Sequence, residues 1–353
     1  MPTRFIYFVV LFCLHKINDE RTIYSLYHLL SGKKSFQTIQ DAHLFQIAQF
    51  YKTCDFLTRK QFDEIIEELE KQNLVTATNE QYYKLTRDGL TYMKKESENH
   101  PFLSYLNGWD YQYANIFWQR ISLLVQVTSH LANQDRNYIP IQRKKPLLKW
   151  LKNYLLHNRF NRKELSDRLY HELIHVLEDC REIDPSVFVI RLTGFETIGL
   201  TEKQACESLK IEQTLYHFQF QALLHYILFR IQKEPKTFML LASLITDIET
   251  NLLLTDTSKK TLVLLNKGFS LEQIAQIRKL KVSTIQDHIV ELALQMNSFQ
   301  IEPFVGKEKI KLITAAHKQA TSKQLKQIRE LVPEATYFQI RLVLTRLGED
   351  NEF

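Results

Sequence analysis

The sequence predicts an all-α chain with one small β-hairpin. The 353 residues contain only 8 glycines and 8 prolines, so helix breakers are scarce. Apolar residues recur at three- and four-residue steps through most of the chain, the period of a helix face. Thr58 with Gln61, Thr201 with Gln204, Ser270 with Gln273 and Ser283 with Gln286 each have the capping-box spacing, in which side chain and backbone satisfy each other at a helix start. A hydrophobic content of 44% and a charged content of 24% are those of an ordinary globular protein with room for two or three cores.

The first apolar run, Phe5–Leu14, follows Arg4 and imitates a secretory leader. HKINDER follows it with no small-x-small cleavage site, and ten residues do not span a bilayer. It reads as a buried helix, Arg4–Ile17. Helices over Arg21–Leu30, Phe36–Tyr51 and Arg59–Gln72 come next. Leu74–Thr78 and Gln81–Leu85 read as strands around Asn79 and Glu80, and a last helix runs from Thr86 to Lys95. Residues 1–97 thus have the order of a winged helix. Its reading helix would expose Asp63, Glu64, Glu67, Glu68 and Glu70, which repel phosphate. The expectation is therefore a protein-interaction or dimerisation domain.

Residues 98–254 read as a middle helical domain. Tyr111–Leu131 is strongly amphipathic, with Trp118 in the core. From Gln142 to Lys163 the chain is basic and free of acids, with Trp150, Tyr154 and Phe160 interleaved. Cations neutralise phosphate and rings stack on bases, so Arg143, Lys144, Lys145, Lys149 and Lys152 are candidate phosphate contacts. A solvated helix face over core aromatics fits the same pattern. His171-Glu172-Leu173-Ile174-His175 matches the H-E-x-x-H zinc motif. No third ligand stands at the spacing such sites use, and an amphipathic helix with Leu169, Leu173 and Leu177 inward is the plainer reading. Thr201–Leu223 holds a looser helix-turn-helix pattern whose spacing differs from the one near Ser270; Phe218–Ile231 is too apolar to read a groove. A core helix over Pro235–Leu254 and a hinge at Thr255–Lys259 complete this part.

Residues 255–353 carry the clearest signal, TLVLLNKGFSLEQIAQIRKLKVSTIQDHIVELAL from Thr261 to Leu294. A helix over Thr261–Lys267 ends at Gly268. Ser270 caps a second helix with Ile274, Ala275 and Ile277 inward. Ser283 caps a third with Ile285, Ile289 and Leu292 behind it. The turn of about four residues between the second and third suits two helices crossing steeply. This stretch, with QLKQIRELVPEATYFQIRLVLTRL from Gln324 to Leu347, resembles the helix-turn-helix module at the C-terminus of RecQ-type helicases, over Lys260–Leu347. Where that turn usually has glycine this chain has Lys279, which a left-handed backbone would cost about 1 kcal/mol. No G-x-x-x-x-G-K-[ST] loop occurs, so no ATP-driven motor is expected. The whole chain resembles the YpbB type, which implies a gene neighbourhood with a RecQ-like helicase.

Charge points to the same end. The chain carries a formal +6, and residues 252–353 hold 15 Lys/Arg against 11 Asp/Glu. In the implied docking the third helix enters the major groove with its first turn. Lys279, Lys281, Ser283, Thr284 and Gln286 are then the candidate DNA contacts, joined by Lys309, Lys323 and Lys326 within a following patch that also holds Lys307, Lys311, Lys318 and Arg329. His288 is expected to pack inward. Asp287 and Glu291 are expected on the outer surface, where they would oppose binding. Cys13, Cys54, Cys180 and Cys206 form no C-x-x-C pair and read as reduced thiols in a cytoplasmic protein.

The functional expectation is a non-enzymatic DNA-binding accessory factor. It needs no cofactor, metal or membrane, and its partners are DNA and, through its N-terminal domain, a RecQ-type helicase or another protein; the sequence leaves the oligomeric state open, a dimer included. The competing classes are a sequence-specific transcriptional regulator and a zinc hydrolase built on His171, Glu172 and His175.

Overall fold

The computed structural model describes residues 4–135, 137–157, 162–248, 254–296, 298–320 and 325–347. They are mostly helical, with one two-stranded antiparallel sheet. The chain gathers into two compact units, each discontinuous in sequence. One comprises residues 1–9 and 91–250; the other comprises residues 10–90 and 251–353. A division into three successive domains, at 97/98 and 254/255, remains a proposal about how the chain is assembled.

The chain begins with α1 (Arg4–Ile17), α2 (Ile23–Leu30), α3 (Phe36–Leu44) and α4 (Arg59–Lys71), then β1 (Val75–Asn79), β2 (Tyr82–Leu85) and α5 (Arg87–Asn99). From Phe5 to Leu11 every residue of α1 is buried, which is why its sequence is apolar all round. The Thr58–Gln61 capping box forms at the start of α4. The expected helix over Phe36–Tyr51 stops at Leu44. Gln46 takes a left-handed backbone, φ 54°, and only a short 3-10 turn, Ala48–Phe50, follows. In the hairpin Val75 faces Leu85 and Ala77 faces Tyr83, with a register shift before Asn79. Gly89 is needed where α5 lies against the Leu74 carbonyl, just before β1: a Cβ there would sit 2.0 Å from that oxygen.

The middle segment supplies α6 (Ala114–Ala132), α7 (Lys145–His157), α8 (Arg162–Glu178), α9 (Ser186–Val189), α10 (Glu202–Leu209), α11 (Gln213–Lys233) and α12 (Met239–Ser243). Trp118 packs edge-on to Phe188 and Phe220, the core role expected. Arg120, buried on α6, pairs in bidentate fashion with Asp247 at 2.5 and 2.8 Å and donates to the Leu244 carbonyl. Pro235–Leu254 is not one long helix; the helical part is α12, and residues 249–253 lie outside the described residues.

The last segment contains α13 (Asp256–Asn266), α14 (Leu271–Arg278), α15 (Val282–Gln295), α16 (Glu302–Val305), α17 (Lys307–Gln319), α18 (Leu325–Leu331) and α19 (Tyr337–Leu347). Its main core joins Ile289, Val290, Leu292 and Ala293 of α15 to Ile313, Ile328, Ile340, Leu342 and Val343. A smaller cluster of Ile274, Ala275 and Ile285 fixes α14 on α15. Thr255–Lys259 is not a hinge. The Thr255 side chain accepts from the Ser258 N–H, and α13 begins at Asp256, five residues before the expected start. Within this unit α3 of the N-terminal segment packs against α15 and α19.

Candidate nucleic-acid interface

The helix-turn-helix is built from α13, α14 and α15. Ser270 Oγ accepts from the Gln273 N–H, and Gln273 Oε1 accepts from the Ser270 N–H at 2.8 Å, so this capping box is present as expected. Gly268, φ 85°, ends α13. Lys279 takes the left-handed conformation, φ 52° and ψ 45°, and the Leu280 N–H returns to the Ala275 carbonyl. Lysine thus holds a position that glycine fits at lower cost. Lys279→Gly is expected to stabilise the protein by about 1 kcal/mol, read as a rise in the thermal midpoint.

Two details of the helix-turn-helix differ from expectation. α15 starts one residue early, with Lys281 as N-cap and no side-chain cap, so Ser283 forms no capping box and Gln286 is not engaged by one. Ile277, expected inward, is 52% exposed, beside an exposed Leu280 at the turn.

The carboxylates change the picture most. Glu291 is not on the outer surface. It is buried and accepts from the Thr255 N–H at 2.6 Å, the Thr255 hydroxyl at 3.0 Å and the Ser258 hydroxyl at 2.6 Å. It therefore anchors the start of α13, where the helix dipole favours an anion. Asp287 is half-buried and pairs with Arg341 of α19 at 2.9 Å. Neither carboxylate is left to repel phosphate. His288 packs inward, as expected, with Nδ1 2.9 Å from the Thr261 hydroxyl; burial, then the Arg278 charge, holds its pKa below the usual histidine value. Arg278 reaches back to the Thr257 carbonyl and the Thr261 hydroxyl, tying the turn to α13.

What remains outward at the turn and the first turn of α15 is Lys279, Lys281 and Ser283, all exposed, with half-buried Thr284 and Gln286. Lys309 and Lys326 lie on α17 and α18, which pack on each other and on α19; Lys309 is half-buried and Lys326 exposed. Lys323 lies outside the described residues. Sequence reading missed Lys34 and Lys52. The Lys34 ammonium is pushed below the usual lysine range by burial and then by Lys52, with Glu291, Lys259 and Asp256 also acting on it. Two lysines of the N-terminal segment therefore stand near the start of α13. No local pattern signals this, because the groups are more than 200 residues apart in the chain.

A second turn has the same geometry. Lys210 follows Thr201 by nine residues, as Lys279 follows Ser270, and takes φ 55° and ψ 37°. The expectation of a different spacing is thus incorrect. In α11, however, Thr214, Tyr216 and Phe218 are buried, and the Glu212 carboxylate caps the helix. At this copy Lys210 is exposed, as Lys279 is, but the following helix is closed over most of its first turns and starts at a carboxylate.

The H-E-x-x-H stretch lies on α8. Glu172 accepts from the N–H groups of Leu240 and Leu241 at 2.9–3.1 Å, so it caps α12. His175 faces Asp179 at 3.8 Å and the Phe238 ring. No group of three His, Cys, Asp or Glu among the described residues is arranged to hold a metal. Glu172→Ala is expected to destabilise the fold by about 1–3 kcal/mol, because it leaves two N–H groups unpaired; urea unfolding reads this.

The comparisons bear on the same module and on the whole chain. A family model described as a helix-turn-helix domain matches residues 257–344. Protein YpbB of Bacillus subtilis (strain 168) is 35% identical over 341 residues, covering 96% of each chain. The chain belongs to the YpbB family. No solved structure matches it. In this YpbB-family chain the four cysteines are free and buried, and no helix among the described residues is long and apolar enough to cross a membrane.

Proposed function

We propose that the chain is a non-enzymatic DNA-binding factor that works beside a RecQ-type helicase in DNA repair or recombination. α15 enters the major groove with its first turn. Lys279 and Lys281 hold phosphates, while Ser283, Thr284 and Gln286 meet phosphate or base edges. The observation that carries this reading is the internal use of Glu291 and Asp287, which leaves the outer surface of the reading helix without a competing anion. The N-terminal segment, with its acidic α4, is the partner-binding part. Its Arg59–Asp63 and Lys60–Glu64 pairs leave Glu67 and Glu70 exposed.

A helicase assay on forked DNA tests the partnership. The purified chain is expected to raise unwinding by a RecQ-type helicase from the same organism. Equal stimulation by a Lys279→Glu/Lys281→Glu variant would remove DNA holding from the account. Exposed Ile277 and Leu280 favour a second reading, in which the turn docks a protein; Ile277→Ser/Leu280→Ser would then abolish stimulation while leaving DNA affinity unchanged.

A further inference from the structure

We propose that the outer face of α7 is a second nucleic-acid contact, one that holds the phosphate backbone without regard to base sequence. This site lies in the other compact unit and does not depend on the helix-turn-helix.

No carboxylate occurs between Asp135 and Glu164. Within that stretch α7 buries Leu147, Leu151 and Tyr154. At 100° per residue, Lys145, Lys149 and Lys152 fall on the opposite side of the helix. All three are exposed, as are Arg143 and Lys144 just before the helix. Other surface helices of this protein pair their cations with acids one turn away: Arg59 with Asp63, Lys60 with Glu64, Arg168 with Glu164, Lys259 with Asp256 and Lys311 with Glu308. α7 has none. Its like charges at three- and four-residue spacing weaken a helix, and cations at its start oppose the helix dipole. A bound polyanion offsets both costs.

Among the described residues, the carboxylates close to α7 are already used: Asp247 by Arg120 and Glu172 by the start of α12. The rings are used as well. Arg120 lies over Trp150 at 4.4 Å, Trp150 stacks on Tyr154 at 5.2 Å between centroids, and the Tyr154 hydroxyl is 2.7 Å from Ser243 Oγ. Trp150 and Tyr154 thus take the core role, one of the two readings the sequence allows. Arg159 and Phe160 lie outside the described residues, as do the side chains of Arg162 and Lys163. A site with cations and no available ring among the described residues reads charge spacing and is indifferent to base identity.

The test uses the full chain with Lys145, Lys149 and Lys152 all changed to Gln, which keeps helix propensity, and circular dichroism to verify the fold. Fluorescence anisotropy with random-sequence duplex over a salt series is expected to show a slope of log K against log salt smaller by about two to three. Affinity at 0.1 M salt should fall at least tenfold, and single strands should show no preferential loss. An unchanged slope and affinity would overturn the proposal. So would loss of binding to phosphatidylserine vesicles with duplex binding intact, which would assign the face to lipid. A parallel Lys279→Gln/Lys281→Gln variant separates the two sites: a defect confined to it ends the α7 proposal alone, and a defect confined to the α7 variant ends the helix-turn-helix reading alone. A wild-type chain that binds no duplex overturns both.

Discussion

Changing Lys279 and Lys281 to glutamate is expected to lower duplex affinity by on the order of a hundredfold at 0.1 M salt and to reduce the salt slope by about two. Each lysine is exposed at the turn that precedes α15, and each loss removes one neutralised phosphate. The reversal also places two anions against the backbone. Folding is not expected to suffer: Lys279 already bears a side chain at φ 52°, and Lys281 caps α15 through its backbone alone. Ser283→Ala should cost far less, because a hydroxyl contributes one neutral hydrogen bond. Anisotropy titrations of the folded variants check the ranking, and equal loss from both would contradict it.

Stability should fall as pH drops from 7 to 5. The cause is histidine held neutral in the interior. His225 is buried, its Nδ1 accepts from the Asn107 N–H at 3.0 Å, and burial pushes its pKa down to about 3. Burial likewise pushes His43 down to about 4. In the unfolded chain both titrate near 6.5. Between those values the unfolded state binds more protons, so the stability present above pH 6.5 is lost as pH falls through 6.5 towards 3. Each residue contributes about 2 kcal/mol of loss by pH 5. Urea midpoints at pH 7 and 5 measure the sum. A His225→Gln variant, which keeps an acceptor for Asn107 but cannot be protonated, should show about half the pH dependence. A wild-type midpoint that does not move would contradict the argument.

The parts of this fold that were legible in the sequence are those set by neighbours along the chain. The Ser270–Gln273 and Thr201–Gln204 boxes, the helix-ending Gly268, the Arg4–Ile17 helix and the hairpin each depend on residues within a few positions. Lys279 stands where the resembled module usually has glycine in its turn, and its left-handed backbone agrees with that resemblance. The errors come from contacts between distant residues. Glu291 looks like an outward residue of α15 until Thr255 and Ser258, more than thirty residues away, are seen to surround it. Asp287 needs Arg341. Such pairs carry no periodicity. The Ser283 box failed for a local reason: Val282 joins the helix, so Ser283 lies inside the first turn, where its side chain has no cap to make.

The most direct measurement is anisotropy of the full wild-type chain with duplex, single-stranded and forked DNA from 50 to 300 mM salt. The account predicts binding to duplex, strongest for forks, with log K falling linearly against log salt. The magnitude of that slope should be at least four, as expected when two lysines at the turn and three on α7 neutralise phosphates. Duplex binding no greater than that of an unrelated protein of equal net charge, at the lowest salt, would contradict it.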